Sequence, residues 1–482
     1  MASEKYPFFI ETFIQQRRLK GMTKHLVIIG NGITGITLAN RYRERSQDKI
    51  TVVSSETKHF YSRPALMYIF MGHMKFEHTK PYEDWHWEKQ NIHLLEAKVE
   101  SVHFAEKTLH LEGGATLSYD TLVLATGSKS NLFNLPGQDL KGVQGLYGYP
   151  DLLSMEKNTQ GVSHAVVVGG GLIGVEMVEM LLSRGIKVSF LVREKKFWGS
   201  VLPLEEANLV ERQIREHPVD LRMGSELKEI IGDRDGKVER ILTVNGDSLP
   251  CGFLGITVGV SPNIGFLRGS ALETDRAILI DDNFRTNIPD VYSAGDCAQF
   301  RQPQMGRKPI EQVWYTGKMQ AEFLAGILVG VATSYRPGIW FNSAKFFDIE
   351  YQTYGNVPAG EVSGESSFYW EHKDGRKSFR IQYRTSDFVV LGFNFMGIRG
   401  RHRVCESWIA EGRTLEYVLT HLGALNFDPE FQSGFESKVI EKFNSENPEK
   451  KVILKTRKGL FSRIAVSIEK STRKRSTVQN EK

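Results

Sequence analysis

Two glycine-rich turns of identical spacing stand at Gly30-Asn31-Gly32-Ile33-Thr34-Gly35 and at Gly169-Gly170-Gly171-Leu172-Ile173-Gly174. In a G-x-G-x-x-G turn the first glycine makes the tight bend and the second lets backbone approach a pyrophosphate. The third lets helix and strand pack closely, so that the helix N-terminus meets the phosphates with its positive dipole end. Gly30, Gly32, Gly35, Gly169, Gly171 and Gly174 are therefore candidates to hold two dinucleotides. One such run is weak evidence, because glycine-rich turns are common. Here each follows a hydrophobic strand and opens a helix, which is the context the chemistry needs.

An acidic residue after the next strand would bind a ribose. In the first unit that residue is Glu56, after Val52-Val53-Ser54-Ser55; the alternative is a surface turn. In the second unit Val192 occupies the position and Arg193 follows. An arginine there pairs with a 2′-phosphate, which favours NADPH over NADH. The neighbouring Glu194 keeps open a solvated charge cluster over Arg193 to Lys196.

The elements that position these residues repeat one grammar. Lys24 to Ile29 reads as a buried strand, a helix runs to about Arg45, and a second strand covers Ile50 to Val53. The sequence then predicts a strand from His164 to Val168, a helix from Val175 to Ser183 and a strand from Lys187 to Val192. Short strands with turns between Gly224 and Pro250 suit a β-meander. Residues 340–400 read as an antiparallel sheet and Trp408 to Leu422 as one helix.

A chain of 482 residues needs more than one core. Hydrophobic residues at 40% and charged residues at 25% are ordinary for a globular protein. The net charge of +5 is local: residues 450–482 hold 11 Lys/Arg against 2 Asp/Glu, a +9 that leaves residues 1–449 at −4. Such a block is a solvated tail or a docking segment. Leu460, Phe461, Ile464, Ala465 and Ile468 fall at helical spacing within it, which keeps peripheral membrane contact open. Residues 1–21 read as an extension without a signal-peptide cleavage site, and no apolar run is long enough to span a bilayer. Cys251, Cys297 and Cys405 are far apart, so neither a dithiol nor a metal spacing is present, and the composition suits a reducing cytoplasm. His73, His78, His86 and His93 match no metal site, and no metal or nucleic-acid partner is expected.

Three further segments carry a resemblance. Tyr119 to Gly127 (YDTLVLATG), Thr257 to Asn263 (TVGVSPN) and Thr286 to Ala298 (TNIPDVYSAGDCA) resemble, in this order, the linking and flavin motifs of the two-dinucleotide-binding flavoprotein reductases. Tyr61 to Leu66 (YSRPAL) is similar to a segment of rubredoxin and ferredoxin reductases and of the flavin domain of assimilatory nitrite reductases. The resemblance spans about residues 24–330. It implies FAD at the first turn and NAD(P)H at the second.

By the same resemblance, Thr126 and Gly127 lie at the crossover near FAD, Gly259 at the matching crossover, and Gly295 with Asp296 at the ribityl chain; a helix N-cap is the alternative for Asp296. Glu176 would lie near the nicotinamide and flavin N5, or be an ordinary exposed helix residue. Arg63 would contact the FAD pyrophosphate or ring edge, and with Glu176 it forms the candidate catalytic pair. The lysine usual in that segment is replaced near Tyr68, which puts its pairing with Glu176 in doubt. Trp314 and Tyr315 shield the flavin or fill core.

The expected fold is α/β. Two Rossmann-like domains, FAD-binding over 22–145 and 260–330 with NAD(P)-binding 146–259 inserted, precede an α+β domain over 331–448 and a basic tail over 449–482. The expected function is an FAD-dependent NAD(P)H oxidoreductase without a redox disulfide, serving an acidic electron-carrier protein or small acceptor. A homodimer is compatible with it, and Arg399, Arg401, His402 and Arg403 are either a carrier-docking cluster or a solvated loop. Alternatives are a quinone reductase at a membrane surface and a redox-sensing flavoprotein.

Overall fold

The computed structural model describes residues 23–455 except 133, 305, 333 and 428–433. The basic tail's helical pattern and the N-terminal extension lie outside the described residues. Those described divide into two compact units, one ending at Asp348 and the other beginning at Ile349.

The first unit is built on two parallel sheets. One runs Val291–Ser293, Thr121–Leu124, His25–Ile29, Lys49–Ser54, Ile92–Glu96. The other runs Val219–Met223, Lys187–Val192, His164–Val168, Phe253–Ile256, Val143–Gln144. Parallel strands are covered on both faces, which is why HLVII and HAVVV are near-continuous apolar runs. In each sheet the chain leaves the founding strand, crosses a helix and pairs on one side, while a later strand pairs on the other. A crevice opens at the carboxyl end where the order reverses, and the glycine turns sit there.

The turns leave no room for side chains behind them. A Cβ on Gly30 would stand 2.1 Å from the Ala125 carbonyl oxygen, and one on Gly169 would stand 2.4 Å from that of Thr257. Behind each turn the third glycine repeats the relation: a Cβ on Gly35 would meet Gly30 O at 1.9 Å, and one on Gly174 would meet Gly169 O at 2.1 Å. Both helices begin within the turn, as Ile33–Arg43 and Leu172–Ser183. The second thus starts three residues before the predicted Val175.

Each sheet carries an antiparallel meander. That over Leu227–Gly232, Val238–Thr243 and Ser248–Pro250 is the one read from sequence; the first sheet has its own over Val99–His103, Thr108–Leu111 and Thr116–Ser118. The two lobes are stitched by a short antiparallel pair, Ser128–Ser130 with Val260–Pro262. Helix Trp314–Leu328 packs on Ile33–Arg43, where Gly317 and Gly295 both close on Thr34 Oγ1.

The second unit contains antiparallel strands in the order Ile349–Gly355, Val390–Met396, Ser378–Arg384, Glu365–Glu371, with Phe379, Phe393 and Phe395 fully buried. The predicted single helix over Trp408 to Leu422 is instead two, His402–Ala410 and Leu415–Thr420. Gly412 at φ +62° breaks the first, and Thr414 caps the second by accepting from Tyr417 N–H at 3.3 Å.

Candidate functional site

A cleft of about 1050 Å³ opens at the carboxyl ends of the first sheet and reaches helix Leu172–Ser183. Gly30, Gly32, Glu56, Arg63, Thr126, Gly127, Asp296 and Glu176 all line it. From the second lobe its lining includes Leu172 and Ile173, and Trp314 stands at its edge, 38% exposed.

Gly32 has an extended backbone (φ −68°), and a Cβ there would find nothing within 4 Å. The turn is closed on its inner side by Gly30 and Gly35 and open on its cleft side at Gly32, which is the cradle a pyrophosphate requires. Gly171 repeats this opening, its nearest atom 3.9 Å away. The cleft slightly exceeds the roughly 300–1,000 Å³ of small-ligand pockets. The residues present therefore fit a flavin dinucleotide.

Glu56 and Arg63 do not stand alone. The Arg63 guanidinium donates to both Glu56 oxygens, at 3.1 and 2.9 Å, and to the Tyr147 carbonyl at 2.7 Å. Its central carbon Cζ lies 4.5 Å from the Tyr147 ring centroid. Tyr61 O–H donates to Glu56 in a short hydrogen bond, and Tyr149 N–H donates to the same carboxylate at 2.9 Å. Burial works against charge on Glu56, but Arg63, Tyr61 and Tyr149 together outweigh it and hold the carboxyl below its ordinary range. Tyr61 opens the YSRPAL segment without having been assigned a role, and Tyr147 and Tyr149 carry no motif that would have marked them as members of this network.

Thr126 Oγ1 donates to Asn263 O at 2.8 Å, and Gly127 takes φ +66°, a left-handed bend suited to glycine. Gly295, at φ +81°, donates its N–H to Gln320 Oε1 at 2.7 Å. Asp296 accepts from Ser128 Oγ at 3.0 Å and faces Tyr147 O–H at 3.5 Å. Burial pushes the Asp296 carboxyl up, against the pull of Ser128 and Arg63. The helix-cap alternative for Asp296 falls, because strand Ala298–Phe300 follows it and the next helix begins at Trp314. Gln312, which donates to Ser128 Oγ at 2.8 Å, is a cleft residue without a sequence signal.

Glu176 is half-buried and aimed at the cleft, so it is not an ordinary exposed helix residue. Among the described residues no hydrogen bond or ion pair reaches its carboxylate. Burial, with the nearby Glu179 charge adding to it and Lys345 opposing it, raises its pKa to about 7. Arg193 follows strand Lys187–Val192 with its side chain 73% exposed, 3.4 Å from Glu194. Gly259, at φ +89°, turns the chain into Val260–Pro262 and accepts from Asn131 N–H at 3.1 Å. Tyr315 O–H meets Ser343 Oγ at 2.9 Å. In the second unit, Arg399 of the basic cluster is ion-paired with Glu350. All three cysteines are buried free thiols, and no described helix is long and apolar enough to cross a membrane.

The profile describing the family "Pyridine nucleotide-disulphide oxidoreductase" matches residues 24–321, more than half of the chain. The protein belongs to that family of oxidoreductases. It is 28% identical over 308 residues to nitrite reductase [NAD(P)H] of Bacillus subtilis (strain 168), covering 63% of this chain and 38% of that one. It is 27% identical over 312 residues to the ferredoxin reductase component of chlorobenzene dioxygenase from Cupriavidus sp. (strain PS12), covering 64% of this chain and 75% of that one. Among solved structures, an NAD-dependent persulfide reductase from A. fulgidus superposes with a TM-score of 0.76 at 22% identity, over 88% of this chain and 84% of its own. At that identity the likeness concerns the fold. The resemblance drawn from the YSRPAL and flavin motifs holds, as does the two-dinucleotide architecture.

Proposed function

We propose that this protein is an FAD-dependent NAD(P)H oxidoreductase that passes reducing equivalents to a small electron-carrier protein of the ferredoxin class. The observation that carries this reading is the cleft itself, which runs without interruption from the open turn at Gly32 to Glu176 on the helix of the second turn. A flavin seated there would supply the hydride-accepting and electron-releasing chemistry. The turn from Gly30 to Gly35 would hold its pyrophosphate at the open Gly32, with Gly30 and Gly35 making the close packing behind; Glu56 and Arg63 close the adjoining wall, and Asp296 with Thr126 and Gly127 would border its middle. Gly169, Gly171 and Gly174 would hold the nicotinamide dinucleotide, with Gly259 in the crossover nearby, and Glu176, which lines the cleft from the helix of that turn, would act on the reacting side.

The carrier class draws on the Cupriavidus relative, which is by name a ferredoxin reductase component. NADPH is the preferred reductant: Val192 ends the strand where an NAD-selecting acid would stand, and the exposed Arg193 is free to swing from its long contact with Glu194 to a 2′-phosphate.

Anaerobic titration of the full-length protein with NADH and NADPH, followed by a panel of ferredoxins, rubredoxins and quinones, tests the reading. Bleaching of the flavin by a stoichiometric nucleotide and rapid recovery on adding a ferredoxin is the expected result. Absence of flavin, or recovery with quinone alone, overturns it.

A further inference from the structure

Helix Leu172–Ser183 carries two carboxylates one turn apart, Glu176 and Glu179, so both lie on one helical face. Glu176 turns into the cleft. Glu179 accepts from Lys345 Nζ at 2.7 Å. Lys345 arrives on strand Phe341–Phe346, 166 residues further along the chain.

We propose that Lys345, acting through Glu179, sets whether the Glu176 carboxyl at the cleft carries a proton.

Glu176 feels both members of the Glu179–Lys345 pair: the Glu179 carboxylate favours its neutral form and the Lys345 ammonium opposes it. With the pair intact, the Lys345 ammonium offsets part of the Glu179 charge, and burial is the main reason the neutral form of Glu176 is favoured. Burial works against charge on Lys345, but its bond to Glu179 outweighs this, so the ammonium is favoured.

The other titratable groups near this face are accounted for. Tyr68, on helix Leu66–Phe70, lies close enough to Lys345 to favour its charge and stacks on His73. Asp348 acts on Lys345 in the same sense and pairs with His217 at 3.3 Å. Arg184, at the far end of the helix, is held by Phe70 O and Glu156. On the strands beneath, His164 contacts Ser189 Oγ at 3.1 Å, and Lys187 is exposed at the strand's start.

The consequence is chemical. A neutral Glu176 can donate a hydrogen bond into the cleft, whereas the ionised form can only accept. Its meaning for hydride transfer rests on the function proposed above; the proton itself does not.

The test is an infrared pH titration of the full-length chain as purified, from about pH 5 to about pH 9, following the carbonyl band of a protonated carboxyl. The band is assigned by its loss in Glu176→Gln. Wild type is expected to titrate near 7. Lys345→Met leaves Glu179 uncompensated and should move the midpoint up by roughly one pH unit, and Glu179→Gln should move it down by a similar amount. Lys345→Arg should restore the wild-type midpoint.

A merely structural contact would shift both variants alike or neither, and either result overturns the proposal. So does the absence of any Glu176 band in this range. If Lys345→Met does not fold, the downward shift in Glu179→Gln still decides. Failure of the nucleotide titration would remove the oxidoreductase reading and leave these midpoints standing.

Discussion

Arg63 grips Glu56 with both guanidinium nitrogens, at 3.1 and 2.9 Å, and from the same fork reaches the Tyr147 carbonyl at 2.7 Å. One arginine therefore ties the turn after the second strand to the segment leading into helix Tyr149–Asn158. The two residues entered as separate candidates, one for a ribose and one for a pyrophosphate or ring edge. Their pairing means that the wall of the cleft is organised before any ligand arrives, with Tyr61 and Tyr149 completing the carboxylate's hydrogen bonds.

Removing the cation should expose this dependence. Arg63→Leu leaves a half-buried Glu56 without its charge partner, at a cost of about 1–3 kcal/mol. Glu56 is held below its ordinary range in the folded chain, so the stability it contributes is present above the unfolded carboxyl range and lost as pH falls through the folded one. That acid-side loss should shrink in the variant. Adding Glu56→Gln should recover part of the cost in a urea melt. Additive costs would mean that the two residues are not coupled.

Two glycines of the first turn separate fold from ligand. Gly35→Ala forces a Cβ to 1.9 Å from Gly30 O, backbone against backbone, and should cost at least the top of the roughly 1–3 kcal/mol range for overpacking. Gly32→Ala meets nothing within 4 Å at an ordinary φ. Its flavin-stripped stability should stay within about 0.5 kcal/mol of wild type, while flavin bound per chain falls sharply. Full flavin content in Gly32→Ala would move the pyrophosphate elsewhere.

What could be read from the sequence follows the range of each interaction. The parallel strands were legible because burial on both faces leaves unbroken apolar runs, and the turns because steric demand at Gly30 and Gly169 fixes residue type locally. The break in the helices after Ala410 turned on one glycine in an otherwise helical stretch. The helix-cap alternative for Asp296 needed the knowledge that a strand follows. The Lys345–Glu179 contact left no trace, since its partners come from distant segments and neither residue is unusual for its own element. Tyr147 and Tyr149 were hidden for the same reason: their partners, Glu56 and Arg63, belong to another part of the chain.

Glu176 gives a pH signature of opposite sign to Glu56. Its unfolded carboxyl releases a proton around 4.5, whereas the folded one holds it to about 7. Between these values the folded chain binds the extra proton, so the contribution to stability is full below the window and is lost as pH rises through it. Glu176→Gln should match wild type at about pH 4 and exceed it by on the order of 1–3 kcal/mol at about pH 8. Parallel stability curves for the two proteins would show that the carboxyl is not held neutral by its surroundings.

The choice of nucleotide comes down to one side chain. Arg193 stands just past Val192, 73% exposed, and its only short-range charge contact among the described residues is Glu194 at 3.4 Å, too long to bind it firmly. A guanidinium with that freedom can close on a 2′-phosphate in a charge-assisted pair worth about 1.5–3 kcal/mol. Arg193→Ala should therefore raise the Kd for NADPH by roughly 10- to 100-fold and leave that for NADH within about threefold. Glu194→Gln frees the arginine from its neighbour and should tighten NADPH modestly. Stopped-flow flavin reduction at varied nucleotide concentration reads both. Equal weakening of the two nucleotides in Arg193→Ala would assign the residue to the shared pyrophosphate or ribose instead, and the acid-free end of strand Lys187–Val192 would then carry no cofactor preference.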